Sequence, residues 1–171
     1  MTKLQSCVLA AALLAAAVPA RAQTCSPNVR ATAPDDRFSV NADSTVLDKR
    51  TGLMWKQCLE GQEGAGCSEG FPLYGYWKAA LALADQSQFA GYKDWRLPNI
   101  KELQSLLEAQ CFEPAVNLAV FPGTPDDVWL WSSSPVMGQP PGTAWSVGFS
   151  DGLVMRRYQL DTAARLVRGG L

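Results

Sequence analysis

Four cysteines that follow a short N-terminal export signal constrain the fold of this chain most. Such a signal would deliver them to an oxidising compartment, where disulfides form. Lys3 precedes an apolar run over residues 8–18, and Ala20-Arg21-Ala22 offers the small residues of a cleavage site, so residues 1–22 are predicted to be a secretory signal peptide. The 11 apolar residues of the run are too few to cross a membrane, which needs about 20. We expect a mature chain that starts at Gln23, is exported to the periplasm or the cell exterior, and is not embedded in a membrane.

The four cysteines that follow the signal allow three disulfide pairings. Cys58 and Cys67 flank a glycine-rich polar loop, so their pairing needs no distant element. Pairing of Cys25 with Cys111 follows by subtraction and would hold the N-terminal arm against the body. A zinc site is the alternative, but the chain has no Cys-x-x-Cys spacing and no histidine. We therefore predict two disulfides and no metal.

Length and charge limit the organisation and the partners. The mature chain is the size of one domain, predicted to consist of an arm over residues 23–36 and a body over residues 37–171. Without Lys3 and Arg21 it carries 13 basic and 16 acidic residues, a net charge of −3. Nucleic-acid binding is not expected, because it rewards a basic face.

The hydrophobic periodicity predicts an α+β domain with two helices in the middle and antiparallel strands from both ends of the chain. Asn99 is predicted to cap the second helix, with Glu102 at the third helical position as in a capping box. The strands are expected at residues 38–41, 45–48, 53–57, 129–133, 144–149, 153–158 and 164–168, and the first helix at residues 76–89.

A block of aromatic and charged residues precedes the second helix. We interpret it as structural, with Arg96 bridging Asp94 or Glu102 and fixing the start of the helix against the sheet; the alternative is that Arg96 clamps an anionic ligand. The residues assigned this structural role are Asp94, Trp95, Arg96, Pro98, Asn99 and Glu102.

The absence of histidine excludes Ser-His-Asp and Cys-His nucleophilic arrangements. The adjacent acids Asp35-Asp36 and Asp126-Asp127 lie in predicted loops, where they are poorly placed to face each other across a glycosidic bond. Calcium binding is a more suitable role than glycosidic catalysis for acidic residues in loops, although no Asp-x-Asp-x-Asp loop is present. We expect no catalytic residue and no cofactor, with calcium as the alternative left open.

Tryptophan is the positive signal for function. All six tryptophans lie in the predicted mature domain, and Trp129 and Trp131 would share one face of a strand that follows an acidic, proline-rich loop. Either both rings are core, or one faces outward and stacks on a sugar ring. The predicted ligand-binding residues are Asp126, Asp127, Trp129, Trp131, Arg156 and Tyr158.

Several motifs together resemble a known family. The carrying residues are Thr45-Val46-Leu47-Asp48, Thr51-Gly52-Leu53-Met54-Trp55, the block from Asp94 to Glu102-Leu103, Phe121-Pro122, Trp131-Ser132-Ser133-Ser134, Trp145-x-Val147-x-Phe149-x-x-Gly152 and Val167-Arg168. Over residues 45–168 the chain resembles the Lcl C-terminal domain family, named after the C-terminal domain of the Legionella collagen-like adhesin. The resemblance implies a C-type-lectin-like fold in secreted or surface bacterial proteins, and attachment to sulfated glycans in the name-giving adhesin. Here the collagen-like region is missing and the net charge is acidic.

The sequence therefore predicts a secreted, non-catalytic recognition domain that binds a glycan or a surface protein. Two alternatives stay open. The first is an enzyme on a lectin-like fold, since the Arg168-Gly169-Gly170 ending is similar to that of formylglycine-generating enzymes, whose chemistry needs reduced cysteines. The second is a structural subunit of an envelope assembly.

Overall fold

The structure, a computed structural model, describes residues 23–169, so the predicted signal peptide lies outside the described residues. Short strands dominate, with two α-helices between them. The strands are β1 (Thr24–Cys25), β2 (Phe38–Val40), β3 (Thr45–Asp48), β4 (Met54–Lys56), β5 (Gln62–Glu63), β6 (Glu69–Gly70), β7 (Cys111–Phe112), β8 (Trp129–Pro135), β9 (Ala144–Gly148), β10 (Val154–Arg157) and β11 (Val167–Arg168); the helices are α1 (Trp77–Asp85) and α2 (Ile100–Gln104).

One antiparallel sheet joins the two ends of the domain, in the strand order β11-β4-β3-β2. The predicted hairpin between β3 and β4 closes at Gly52, whose φ of +72° is a left-handed conformation that glycine adopts without a steric penalty. The Gly52 N–H donates to the Asp48 carbonyl at 2.8 Å. The C-terminal strand β11 pairs with β4, with Val167 opposite Trp55. The predicted α+β class, with strands from both ends meeting in one sheet, is confirmed.

A second antiparallel sheet, in the order β10-β9-β8, has core on both of its faces. Leu130 and Val147 are cross-strand partners and pack into the larger hydrophobic cluster, which also holds Trp55 and Leu103. The opposite face carries Trp131, which packs with helix α1 in a second cluster. Because strand residues alternate between faces, this arrangement decides which side chains of β8 can reach the surface.

The two helices differ from the sequence prediction in length and agree in position. Helix α1 ends at Asp85 instead of running to Phe89, because residues 89–92 form a tight turn in which Phe89 and Tyr92 exchange backbone hydrogen bonds. Helix α2 begins at the predicted capping box: the Asn99 side chain accepts the Glu102 N–H, and the Glu102 side chain accepts the Asn99 N–H. No helix among the described residues is long and apolar enough to cross a membrane.

Both predicted disulfides are present, Cys58–Cys67 and Cys25–Cys111. The second closes the two-stranded β1–β7 sheet and ties the N-terminal arm to the body. The buried carboxylate of Glu108 reinforces this attachment by accepting the backbone N–H groups of Thr32 and Ala33. The arm is thus a packed part of the domain.

Candidate functional site

The predicted pair Trp129 and Trp131 divides between surface and core. Trp131 is 0% exposed, and its indole Nε1 donates to the Gly75 carbonyl at 2.8 Å. Its candidacy as a ligand contact is therefore corrected: helix α1 and the segment around Gly75 cover it. Trp129 lies beyond this cover and is half-buried, with one ring face against Gly148 so closely that a Cβ there would come within 2.8 Å of Cζ2.

The strand pairing places Arg157, and not the predicted Arg156, on the same face of the sheet as Trp129. Arg156 is the cross-strand partner of Trp145, whereas Arg157 is the partner of Ala144 on the same face as Trp129. Arg156 is exposed on the opposite face of the sheet, so the structure does not bring it together with Trp129. Instead the Arg157 guanidinium carbon lies over the Trp129 ring, 4.0 Å from its centroid.

Arg157 is a cation without a carboxylate partner among residues 23–169. Its Nε is buried and has no hydrogen-bond partner, and burial lowers the pKa of the guanidinium. An arginine side chain stays protonated at neutral pH. Stacking on Trp129 fixes the planar group in place, and its free N–H donors can bind a carboxylate or sulfate in a bidentate manner.

Three other predicted site residues flank this pair in the sequence. Asp127 is exposed two residues before Trp129, while Asp126 is half-buried and Tyr158 is exposed directly after Arg157. Partial burial, and then the charge of Asp127, raise the pKa of Tyr74. Sequence reasoning missed Tyr74 and Arg157. The signal for Arg157 was its position one residue from Arg156; Tyr74 lies in a loop without periodicity.

The block before helix α2 makes contacts of the kind expected for the predicted structural role. Trp95 is buried, and Arg96 makes a bidentate ion pair with Glu102 at 2.7 and 2.8 Å. Burial alone would raise the pKa of Glu102, but hydrogen bonds from Arg96 and the Asn99 N–H hold it below its usual value. Asp94 pairs with Arg168, not with Arg96, at 2.8 Å.

The same block is joined to both sheets through its backbone. Arg96 and Val167 exchange hydrogen bonds beside β11, and the Pro98 carbonyl accepts the Ser133 N–H at 2.7 Å. Asp94, Arg96 and Glu102 thus each have an ion-pair partner within the domain. This leaves Arg96 unsuited to the alternative role of an anion clamp.

Metal ligands do not gather in the part of the chain that the structure describes: no group of three or more Cys, Asp or Glu side chains there could hold an ion. Asp126 and Asp127 make no ion pair among the described residues. The expectation that the domain needs no cofactor stays a prediction, with calcium as its alternative.

Comparison with known protein families matches residues 44–168 to the Lcl C-terminal domain. The chain belongs to the Lcl C-terminal domain family. No curated protein and no solved structure matches it. The family match spans β3 to β11, so it includes the block from Asp94 to Glu102 as well as Trp129 and Arg157.

Membership makes this chain an adhesin-related domain from a non-enzymatic family. Its two disulfides fit an exported protein. Within this Lcl C-terminal domain, the block from Asp94 to Glu102 connects helix α2 with both sheets. Trp129 and Arg157 lie in β8 and β10 of the three-stranded sheet, where Arg157 has no ion-pair partner among residues 23–169.

Proposed function

We propose that this Lcl C-terminal domain is an exported, non-catalytic recognition domain that binds a glycan bearing a negatively charged substituent at the surface formed by Trp129, Arg157 and Asp127. The observation that carries the proposal is the unpaired, partly buried Arg157 held over the Trp129 ring at 4.0 Å. Within the same proposal, the C-type-lectin-like fold implied by the family resemblance remains an inference.

An unpaired cation in a partly buried position raises the free energy of the fold unless a ligand pairs with it. Protein structures normally give a desolvated charge a partner or several hydrogen bonds. Arg157 receives neither from the described residues, so a carboxylate or sulfate group of a ligand would supply what the fold leaves out. Such charge-assisted bonds are among the stronger polar contacts.

The neighbouring groups suit the rest of a sugar. The carboxylate of Asp127 accepts hydrogen bonds, as sugar hydroxyls require, and the part of the Trp129 ring that Gly148 and Arg157 leave uncovered offers apolar surface to C–H groups. Because Arg157 has no ion-pair partner among the described residues, it supplies a local positive charge, so a domain of net charge −3 can bind an acidic sugar there without a generally basic face.

The enzyme alternative is weakened by the state of the cysteines. Cys25, Cys58, Cys67 and Cys111 are all disulfide-bonded, whereas the formylglycine-type chemistry needs reduced cysteines.

A glycan array on the purified mature protein, with and without EDTA, tests the proposal. We expect binding to glycans with uronic acid or sulfate groups, and the best of these glycans is then titrated against two variants. Arg157→Gln should weaken binding roughly 10-fold or more, as loss of a charge-assisted contact does. Arg156→Gln, one residue away on the opposite face, should bind as the unmodified protein does. Equal affinity of both variants, or a loss confined to Arg156→Gln, would place the site elsewhere.

A further inference from the structure

A short loop outside the glycan surface displays an unusual amount of apolar surface. In the six-residue segment 71–76, Phe71 is 85% exposed, and Leu73, Tyr74 and Tyr76 are each more than half exposed. Single exposed apolar side chains are common, but contiguous patches on soluble proteins often mark interaction sites. We call this segment the aromatic loop.

The backbone of the aromatic loop is fixed, although its side chains point outward. The Leu73 N–H donates to the Glu60 carbonyl at 2.8 Å, and Gly75 exchanges two hydrogen bonds with Thr162. The Gly75 carbonyl also accepts the indole N–H of Trp131. A loop that is already ordered loses little conformational entropy when a partner binds.

A small apolar cavity opens beside the loop. It has a volume of about 210 Å³ and lies between the loop and helix α1. Its walls are mostly hydrocarbon and come from Leu73, Tyr74, Ala79, Ala80, Leu83 and Ala164, with Glu60, Gly75 and Thr162 completing them. We call it the socket. A socket of this kind, lined by the exposed side chains of Leu73 and Tyr74, has the form of the anchor pockets at which protein interfaces concentrate their binding energy.

The charges around the aromatic loop are acidic. Glu63 and Glu69 are exposed and lie directly opposite each other in the β5–β6 hairpin. Two like charges in such a cross-strand pair destabilise the hairpin. Neither of these two carboxylates has an ion-pair partner in the described part of the chain, and Lys78 is the one cation in residues 69–80.

From the loop, the socket and the acidic rim, we infer a second binding surface, for a protein partner that inserts an apolar side chain into the socket and places lysine or arginine residues against Glu63 and Glu69. Charge complementarity selects this partner over an anionic membrane, which the acidic rim would repel. The surface is distinct from the Trp129–Arg157 site, so a bound glycan and a bound protein would use different residues.

The test is an NMR titration of the 15N-labelled mature protein with a short amphipathic synthetic peptide of leucine and lysine. We expect shifts centred on the aromatic loop and the first turn of helix α1. The same peptide with glutamate in place of lysine should bind at least about 10-fold more weakly, because it meets the acidic rim. Equal binding of the two peptides, or shifts that lie elsewhere, would overturn the inference.

Two matched pairs of variants separate the socket from unspecific hydrophobic binding. Ala79→Leu fills the socket, whereas Ala82→Leu adds the same group to an exposed position of helix α1 outside it. Phe71→Ser removes an exposed ring from the loop, and Met137→Ser removes a side chain that is 87% exposed elsewhere. The first member of each pair should weaken lysine-peptide binding about 10-fold and the second should not, as expected for an anchor pocket.

Arg157→Gln should leave peptide binding unchanged, so failure of the glycan proposal would be visible separately. Equal effects within each variant pair would contradict a specific socket. Sedimentation with phosphatidylglycerol vesicles that is lost in Phe71→Ser would assign the loop to a membrane and overturn the inference of a protein partner.

Discussion

Two regions of this domain contain the same kinds of residue but differ in burial and in ion pairing. The block from Asp94 to Glu102 combines a tryptophan, an arginine and acidic groups, and so does the surface at Trp129, Arg157 and Asp127. In the block, Trp95 is buried and Arg96 has a bidentate carboxylate partner. At the surface, Trp129 is half-buried and Arg157 has no such partner among the described residues.

The difference shows that residue type alone does not reveal a recognition site. A charge whose hydrogen bonds are used within the fold stabilises the fold, whereas a charge that the fold orients but does not pair is available to a ligand. The block carries the most specific motif of this Lcl C-terminal domain. Its hydrogen bonds are made within the fold, where they connect helix α2, β8 and β11.

The largest difference is expected between the two tryptophans. Trp95→Ala should reduce the free energy of unfolding by roughly 3–5 kcal/mol, since it removes a large buried ring from the core. Trp129→Ala should cost less than about 2 kcal/mol because part of its ring already contacts solvent. Urea denaturation of both variants measures this. Similar losses would mean that Trp129 is as much a core residue as Trp95.

A smaller difference is expected between the two arginines. Arg96→Gln should cost about 1–2 kcal/mol, a value reduced by screening because the Arg96 side chain is 40% exposed. Arg157→Gln should change stability by less than about 0.5 kcal/mol, because it breaks no ion pair and because the lost stacking on Trp129 is offset by removal of a partly buried, unpaired charge. Thermal and urea unfolding of the two variants decide the matter. A larger loss for Arg157→Gln would show that this residue is structural.

The smallest expected effect concerns pH. The pKa of Glu102 is held below its usual value in the folded chain, so Glu102 stabilises the fold above its unfolded pKa of about 4.3 and loses this contribution as the pH falls through its lower folded pKa. Glu102→Gln should therefore lose less stability than the unmodified protein between neutral pH and acid below about pH 4. Identical slopes of unfolding free energy against pH would contradict the pairing.

Local sequence signals predicted much of the fold. The capping box at Asn99 and Glu102, the hairpin that turns at Gly52, and the Cys58–Cys67 disulfide each depend on residues close together in the chain. The Cys25–Cys111 pairing then followed by elimination.

The candidate site was less predictable because it depends on pairing register and on cover by distant elements. A strand of alternating residues does not indicate which face its partner strand will share. The sequence therefore suggested Arg156, whereas the alignment of β10 with β9 puts Arg157 on the face of Trp129. Burial of Trp131 depends on helix α1 and on Gly75, more than 50 residues earlier in the chain. The aromatic loop has no periodicity from which its exposure could be inferred.

The most direct test of this account measures stability and glycan affinity together in Arg96→Gln and Arg157→Gln. The titration uses the anionic glycan that binds best on the array, at two salt concentrations. We predict that Arg157→Gln keeps its stability but loses affinity and most of the salt dependence of binding, because the screened charge is gone. Arg96→Gln should lose stability and, while folded, keep its affinity. Loss of affinity in Arg96→Gln with unchanged binding by Arg157→Gln would contradict the assignment of the two regions.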